Sequence, residues 1–125
     1  MRLLLDTHAL LWWLIDDPQL SPVARDAVAN LANEVYVSAC SGYEIAYKQK
    51  LGRLPTFPES LLDRVARERI GTLPISLEHA VAAAALPGSH RDPWDRIMTA
   101  QALAEHCYMV TVDQVFADYN VPVLW

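Results

Sequence analysis

Cysteine is scarce: Cys40 and Cys107 are the two in 125 residues. They are too few and too far apart for a disulfide framework or a zinc motif, and the expectation is reduced, partly buried thiols. The four histidines, His8, His79, His90 and His106, show no metal-ligand spacing and read as surface or packing residues, His90 being nearest the acids discussed below. No glycine-rich stretch cradles a phosphate, and no serine or cysteine stands with a base in a nucleophile pattern. The apolar opening "LLLDTHALLWWLI" is interrupted by an aspartate and too short to span a bilayer, and no charged segment leads into a cleavable apolar run. These absences predict a cytoplasmic protein without a membrane partner. Repeats, low-complexity tracts and linkers are also missing, so residues 1–125, with 53% hydrophobic content, suit a single domain with a sizeable core.

The net charge of −5 runs against a nucleic-acid partner, because affinity for phosphate backbones comes from Lys and Arg. Its distribution is uneven. Eight of the ten basic residues fall between Lys48 and Arg96 with six acids, a net of +2, while the remaining two basic and nine acidic residues give −7. A local basic rim can coexist with an acidic centre, although solvated helix faces explain the cluster equally well.

Short apolar strands alternate with helices. "RLLLD" predicts a buried strand running into a helix over "THALLWWLI"; "SPVARDAVANLAN" predicts a helix capped by Ser21 with Pro22 at its first position. "EVYVSA" is a strand, "SGYEIAYKQKLG" a helix with Ser41 as cap and Gly52 as stop, and "SLLDRVARERIG" a helix stopped at Gly71. "TLPI", "YMVTVD" and "VPVLW" read as strands, "SLEHAVAAAAL" and "DPWDRIMTAQALAEH" as helices, and "QVFADY" as a single turn. The alternation predicts a three-layer α/β/α sandwich around a mainly parallel sheet of four to five short strands.

In such folds strand C-termini and helix N-termini share one edge, where ligands bind. Asp6 ends the first strand, Glu44 falls in the first turn of the helix after the second, Asp95 in the first turn of its helix, and Asp113 after "YMVTV". Each has a structural explanation as well. Ser41 and Glu44 form an S-x-x-E capping box worth about 1 kcal/mol; Asp92, Pro93 and Asp95 form a helix start; Asp113 suits the cap of a short turn. Asp6 has the fewest such explanations, since an unpaired buried carboxylate is costly. Four capping acids need not share an edge, whereas a divalent-metal site requires it. Mg²⁺ takes hard oxygen ligands and keeps several waters, so carboxylates from separate elements suit it. Two ions would balance four acids, and two-metal sites activate water and steady the leaving oxygen in phosphodiester cleavage.

The segments "LLLDTHALLWWL", "SACSGYEIAYKQKLGRL", "LPGSHRDPWDRIMTAQAL" and "VTVDQVFADYNVPVLW", in this order and nearly end to end, resemble the PIN-domain family, specifically the VapC-type toxins of toxin-antitoxin pairs. The resemblance implies a metal-dependent endoribonuclease using one or two Mg²⁺ or Mn²⁺ ions, inhibited by a cognate antitoxin and commonly homodimeric. It places the family's acids on Asp6, Glu44, Asp95 and Asp113, and an assisting residue on Thr7. Asp92 matches the first acid of the D-P-x-D-R motif and is kept as a cap or supporting group. Gly42 stands where a bulkier residue is usual, and Val112 where a polar residue often precedes the last acid; both departures bear on substrate contacts.

Lys48 and Arg96 are candidates for holding the scissile phosphate, with solvated helix charge as the equal alternative. Trp12 and Trp13 face different sides of one helix, one toward the core and the other toward a partner or simply buried. Tyr43 and Tyr47, four residues apart, suit either base stacking or a packed stripe. Two other classes remain compatible. A receiver-like phosphoacceptor would need an acidic pair after the first strand and a lysine where "TVDQVF" offers an aspartate. A catalytically idle PIN-fold binding partner would not need all four acids.

Overall fold

The computed structural model describes residues 1–88 and 92–125, so His90 and Arg91 lie outside the described residues. Strand β1 (Arg2–Leu5) is the middle of a five-stranded sheet, and its three leucines are fully buried, as a strand covered on both faces requires. Around it stand β2 (Glu34–Ser38), β3 (Gly71–Leu73), β4 (Tyr108–Val110) and β5 (Val123–Leu124), in the spatial order β3-β2-β1-β4-β5. All four neighbouring pairs are parallel, with Leu4 in register with Tyr36 on one side and Met109 on the other.

Alternation along the strands divides the core into two layers. Leu3, Leu5, Val37 and Val110 join Leu10 and Leu14 of α1 (Thr7–Leu14), Ala24 of α2 (Pro22–Ala29), Ile45 of α3 (Ala39–Lys50) and Val65 of α4 (Leu61–Ala66). Leu4 and Met109 face the opposite way, onto Met98 and Ala102 of α6 (Pro93–Ala104) and Phe116 of a 3₁₀ turn over Gln114–Tyr119. Helix α5 (Leu77–Ala85) packs on α6. The result is the expected three-layer α/β/α sandwich, with the sheet parallel throughout.

Helix starts follow their caps. Ser21 accepts from the Ala24 N–H at 3.1 Å, with Pro22 first in α2; Ser60 accepts from Asp63 N–H at 3.1 Å, and Asp92 from Trp94 N–H at 2.9 Å. Two expectations fail. Ser41 is not a cap: β2 runs into α3 without a loop, and Ser38 takes that place, accepting from Cys40 N–H at 3.2 Å. Gly71 does not stop a helix. Helix α4 ends at Ala66, Arg69 makes the left-handed turn at φ 57°, and Gly71 enters β3 opposite Tyr36. A Cβ on Gly71 would stand 2.9 Å from the Tyr36 ring, so the glycine is needed for close approach.

Both cysteines are buried free thiols, and burial pushes their pKa values up, leaving them inert. The two tryptophans of α1 are both partly buried against the core; Trp13 donates to Glu68 at 3.1 Å, while Trp12 packs between His8 and Trp125. Among the described residues no helix is long and apolar enough to cross a membrane.

His79 is buried by a specific structural task. Its Nδ1 accepts the Ser76 N–H at 3.1 Å while Ser76 Oγ accepts the His79 N–H at 3.0 Å, a capping box at the start of α5. The ring proton therefore sits on Nε2, 3.2 Å from Glu105 Oε1. His79→Ala is expected to lower stability by about 1–2 kcal/mol in urea unfolding, and His79→Gln, which keeps an acceptor at this position, to recover part of that loss.

Candidate metal centre

In this strand order the chain turns from one side of β1 to the other, so the topological switch point lies between β1 and β4. Asp6 follows β1 and Asp113 follows β4 at that seam. Asp6 is the N-cap of α1: its Oδ1 accepts the Ala9 N–H at 2.7 Å, its Oδ2 accepts the Thr111 hydroxyl, and its own N–H donates to Val110 O at 3.1 Å. It thus has the local role that the sequence did not suggest for it. Thr111 Oγ1 also accepts the Asp113 N–H at 2.9 Å, so one buried hydroxyl sets both acids. Asp113 caps the 3₁₀ turn through Val115 N–H at 3.0 Å.

Glu44 comes from α3. With Ser38 as cap it lies in the second turn, not the first, and the capping-box explanation for its presence falls away. It pairs with Lys48 at 3.4 Å, one turn along the same helix. Asp95 is in the first turn of α6, its backbone N–H aimed at Asp92 Oδ1 at 3.4 Å and its carbonyl accepting the Thr99 hydroxyl at 2.7 Å. Asp6, Glu44, Asp92, Asp95 and Asp113 line one open cavity of about 510 Å³, with Thr7, His8, Lys48, Met98, Val112 and Phe116. A larger, mostly apolar cavity of about 770 Å³ lies between α3 and α4, with Gly42 on its wall and none of these acids.

The other candidates separate clearly. Thr7 is buried at the cavity wall, its hydroxyl 2.9 Å from that of Ser41, which in turn reaches Met98 Sδ at 3.7 Å. Lys48 faces the cavity. Arg96 turns away: its Nε and a terminal nitrogen donate to Ala83 O at 3.1 Å and Leu86 O at 2.6 Å, closing the C-terminus of α5, where a cation is favoured. Thr111 was not singled out in the sequence, since nothing local to "MVTVD" marks a partner 105 residues away. Ser41 was noticed, but as a cap.

The donor set fits a hard divalent cation. Among the described lining residues, five carboxylates face a single lysine and a histidine. Asp6 is 7% exposed, and burial raises its pKa against the opposing hydrogen bonds from Thr111 and Ala9, with Asp113 adding repulsion. Positive charge is what this wall lacks. Among the described residues no group of three or more His, Cys, Asp or Glu side chains is placed to hold a metal ion by itself, so an ion here would need water to complete its shell. An open rim, in which water completes the coordination, is the arrangement Mg²⁺ favours.

A pH dependence follows. The folded protein holds the Asp6 proton more tightly than the unfolded chain, whose carboxyl titrates near about 4. This contribution is fully present at acid pH and is lost as pH rises through the folded-state pKa. In chelator-treated buffer, urea unfolding of the parent should therefore lose ground to Asp6→Asn as pH rises from about 4 toward neutrality. A pH-independent difference between the two would overturn this account of Asp6.

Comparison with known proteins agrees with this architecture. The PIN domain family model matches residues 3–122. Ribonuclease VapC22 of Mycobacterium tuberculosis is 34% identical over 122 residues, covering 95% of this chain and 92% of the relative. Among solved structures, a chain of VapBC2 from Rickettsia felis bound to a promoter DNA fragment superposes with a TM-score of 0.70 at 16% identity, covering 98% of this chain and 97% of that one. A toxin-antitoxin complex from Klebsiella pneumoniae gives 0.65 at 19%, covering 96% and 93%. FitAB bound to a DNA fragment gives 0.68 at 21%, covering 97% and 92%. The chain therefore belongs to the PIN-domain family, among its VapC-type ribonucleases.

Proposed function

We propose that the chain acts as one PIN domain and is a metal-dependent endoribonuclease, the toxin of a toxin-antitoxin pair, with one or two Mg²⁺ or Mn²⁺ ions held by Asp6, Glu44, Asp95 and Asp113. The observation that carries this reading is the pocket at the switch point, where acids from four separate elements line one wall with little positive charge of the protein's own. When bound, such an ion would supply charge against the scissile phosphate and lower the pKa of a water, which could then give up a proton and attack phosphorus. The chain's own groups do the positioning. Asp6 is fixed by Ala9 N–H and Thr111; Asp113 is oriented through the same threonine; Asp95 is aimed by the helix start that Asp92 caps. Lys48, paired with Glu44 one helical turn away, is the cation this reading assigns to a phosphate oxygen, and Thr7 is held by its hydroxyl contact with Ser41.

The relative's description as a ribonuclease supports RNA as substrate. The structural neighbour described as a toxin-antitoxin complex supports a cognate antitoxin as partner. A homodimer acting in the cytoplasm completes the proposal.

Cleavage of a mixed oligoribonucleotide pool by antitoxin-free protein, with Mg²⁺, Mn²⁺ or chelator, tests it. Cutting is expected with either metal and not with chelator. Asp95→Asn should cut at least about 100-fold more slowly. Asp92→Asn, which still caps, should lose much less. RNA left intact by folded protein under every metal condition, or full activity in Asp95→Asn, would sink the reading.

A further inference from the structure

Three aromatic residues stand immediately before three residues of the pocket wall: Tyr43 before Glu44, Tyr47 before Lys48, and Trp94 before Asp95. On a helix the next residue lies about 100° around, so each ring flanks the group that faces the acids. The tyrosines are not a packed stripe. Tyr43 is 57% and Tyr47 49% exposed, against a core whose large side chains are almost wholly covered. They are nonetheless ordered against each other, with ring centroids 5.7 Å apart and planes within 6°. Trp94 continues the row, 5.5 Å from Tyr43 and tilted 39° to it. The row therefore bridges α3 and α6, the two helices that bring Glu44 and Asp95 to the site.

We propose that Tyr43, Tyr47 and Trp94 form a stacking platform that takes the unpaired bases next to the scissile phosphate, so that RNA enters as a single strand with its bases against α3. This rests on the ribonuclease reading above. Stacking suits the chemistry on the page because every base has a π-face and the row carries no code of hydrogen-bond donors, so it selects unpaired strands over duplexes more than one sequence over another. A protein partner fits less well. Exposed Lys50, three residues beyond Tyr47 on the same helix, borders the patch, and lysine is depleted at the centres of protein interfaces.

The test measures cleavage of a fluorescent unpaired oligoribonucleotide with Mn²⁺ by the parent, Tyr43→Ala, Tyr47→Ala and the double variant, with melting curves to verify folding. Each alanine should raise KM about tenfold and leave kcat within about twofold, while Tyr47→Phe keeps the parent KM. An oligonucleotide with an abasic nucleotide beside the cut site should erase the difference between parent and variant. Binding of the same RNA to Asp95→Asn, with and without Tyr43→Ala, is read by anisotropy and needs no cleavage. Ring-dependent binding by a protein that cuts nothing would uphold the platform while the nuclease reading fails. Cleavage with KM unchanged by both alanines would overturn the platform and leave the nuclease. The same unchanged KM accompanied by loss of self-association in sedimentation would assign the rings to a protein interface instead.

Discussion

A carboxylate buried where two parallel strands meet must find donors or remain costly, and the Asp6 side chain finds them in two directions at once. One is local, the Ala9 N–H that starts α1. The other is distant, the Thr111 hydroxyl beyond the end of β4. The first makes strand β1 become a helix with no loop between them, which leaves Thr7 buried beside Ser41. The second ties the two strands on either side of the switch point and, through Asp113 N–H, sets the start of the last turn. Fold and site are thus joined at a single residue, because the bonds that make the burial tolerable are those that aim the acids.

The acids concentrate on this edge for an electrostatic reason that is also a folding reason. An all-parallel sheet with returning helices brings the N-termini of α1 and α6 to the same rim, and their dipoles favour anions there. Asp6 and Asp92 each satisfy a helix start, and Asp113 the start of a turn, so part of the charge is retained by the backbone itself. Glu44 is the exception. It sits in the second turn of α3, away from the helix end, and its side-chain partner is Lys48. With no capping task, its tie to helix formation is the pair with Lys48, worth about 0.3–0.5 kcal/mol.

The sequence made the elements legible because each signal is local: leucines ending at an aspartate, a serine before a proline, D-P-x-D before an apolar run. Through the parallel architecture it also pointed to one edge for Asp6, Glu44, Asp95 and Asp113, and these four line one pocket together with Asp92. It assigned their local roles in reverse, however. Asp6, expected to have little structural reason, is a cap, while Glu44, expected to be part of a capping box, is not. The cause is that Ser38 and Ser41 are equally good caps three residues apart, and the choice between them is made by the sheet. Ser38 is still paired with Leu73 of β3, so the helix begins as soon as that pairing ends. Gly71 and Thr111 escaped for the same kind of reason. The ring that needs Gly71 belongs to Tyr36 on the next strand, and the acid that needs Thr111 lies at the other end of the chain.

The basic segment from Lys48 to Arg96 bears on how an acidic chain holds a polyanion. Much of its charge is committed inside the fold. Arg64 and Arg67 share Glu59, Arg96 closes α5, and Lys48 is bridged to Glu44. These four cations are held by partners within the chain, and the wall nearest the site is acidic. In the proposed ribonuclease, attraction would come from cations balancing the carboxylates and from surfaces whose affinity does not depend on counterion release. Exposed, ordered aromatic rings are such a surface, since stacking exchanges water for base without neutralising a phosphate. Helix α3 serves both needs. Ile45 and Ser41 anchor it in the core, Glu44 and Lys48 face the pocket, and Tyr43 and Tyr47 lie beside them toward solvent. Its rigid pitch fixes the distance from a stacked base to the acids, which is the quantity a phosphodiester cleaver must control.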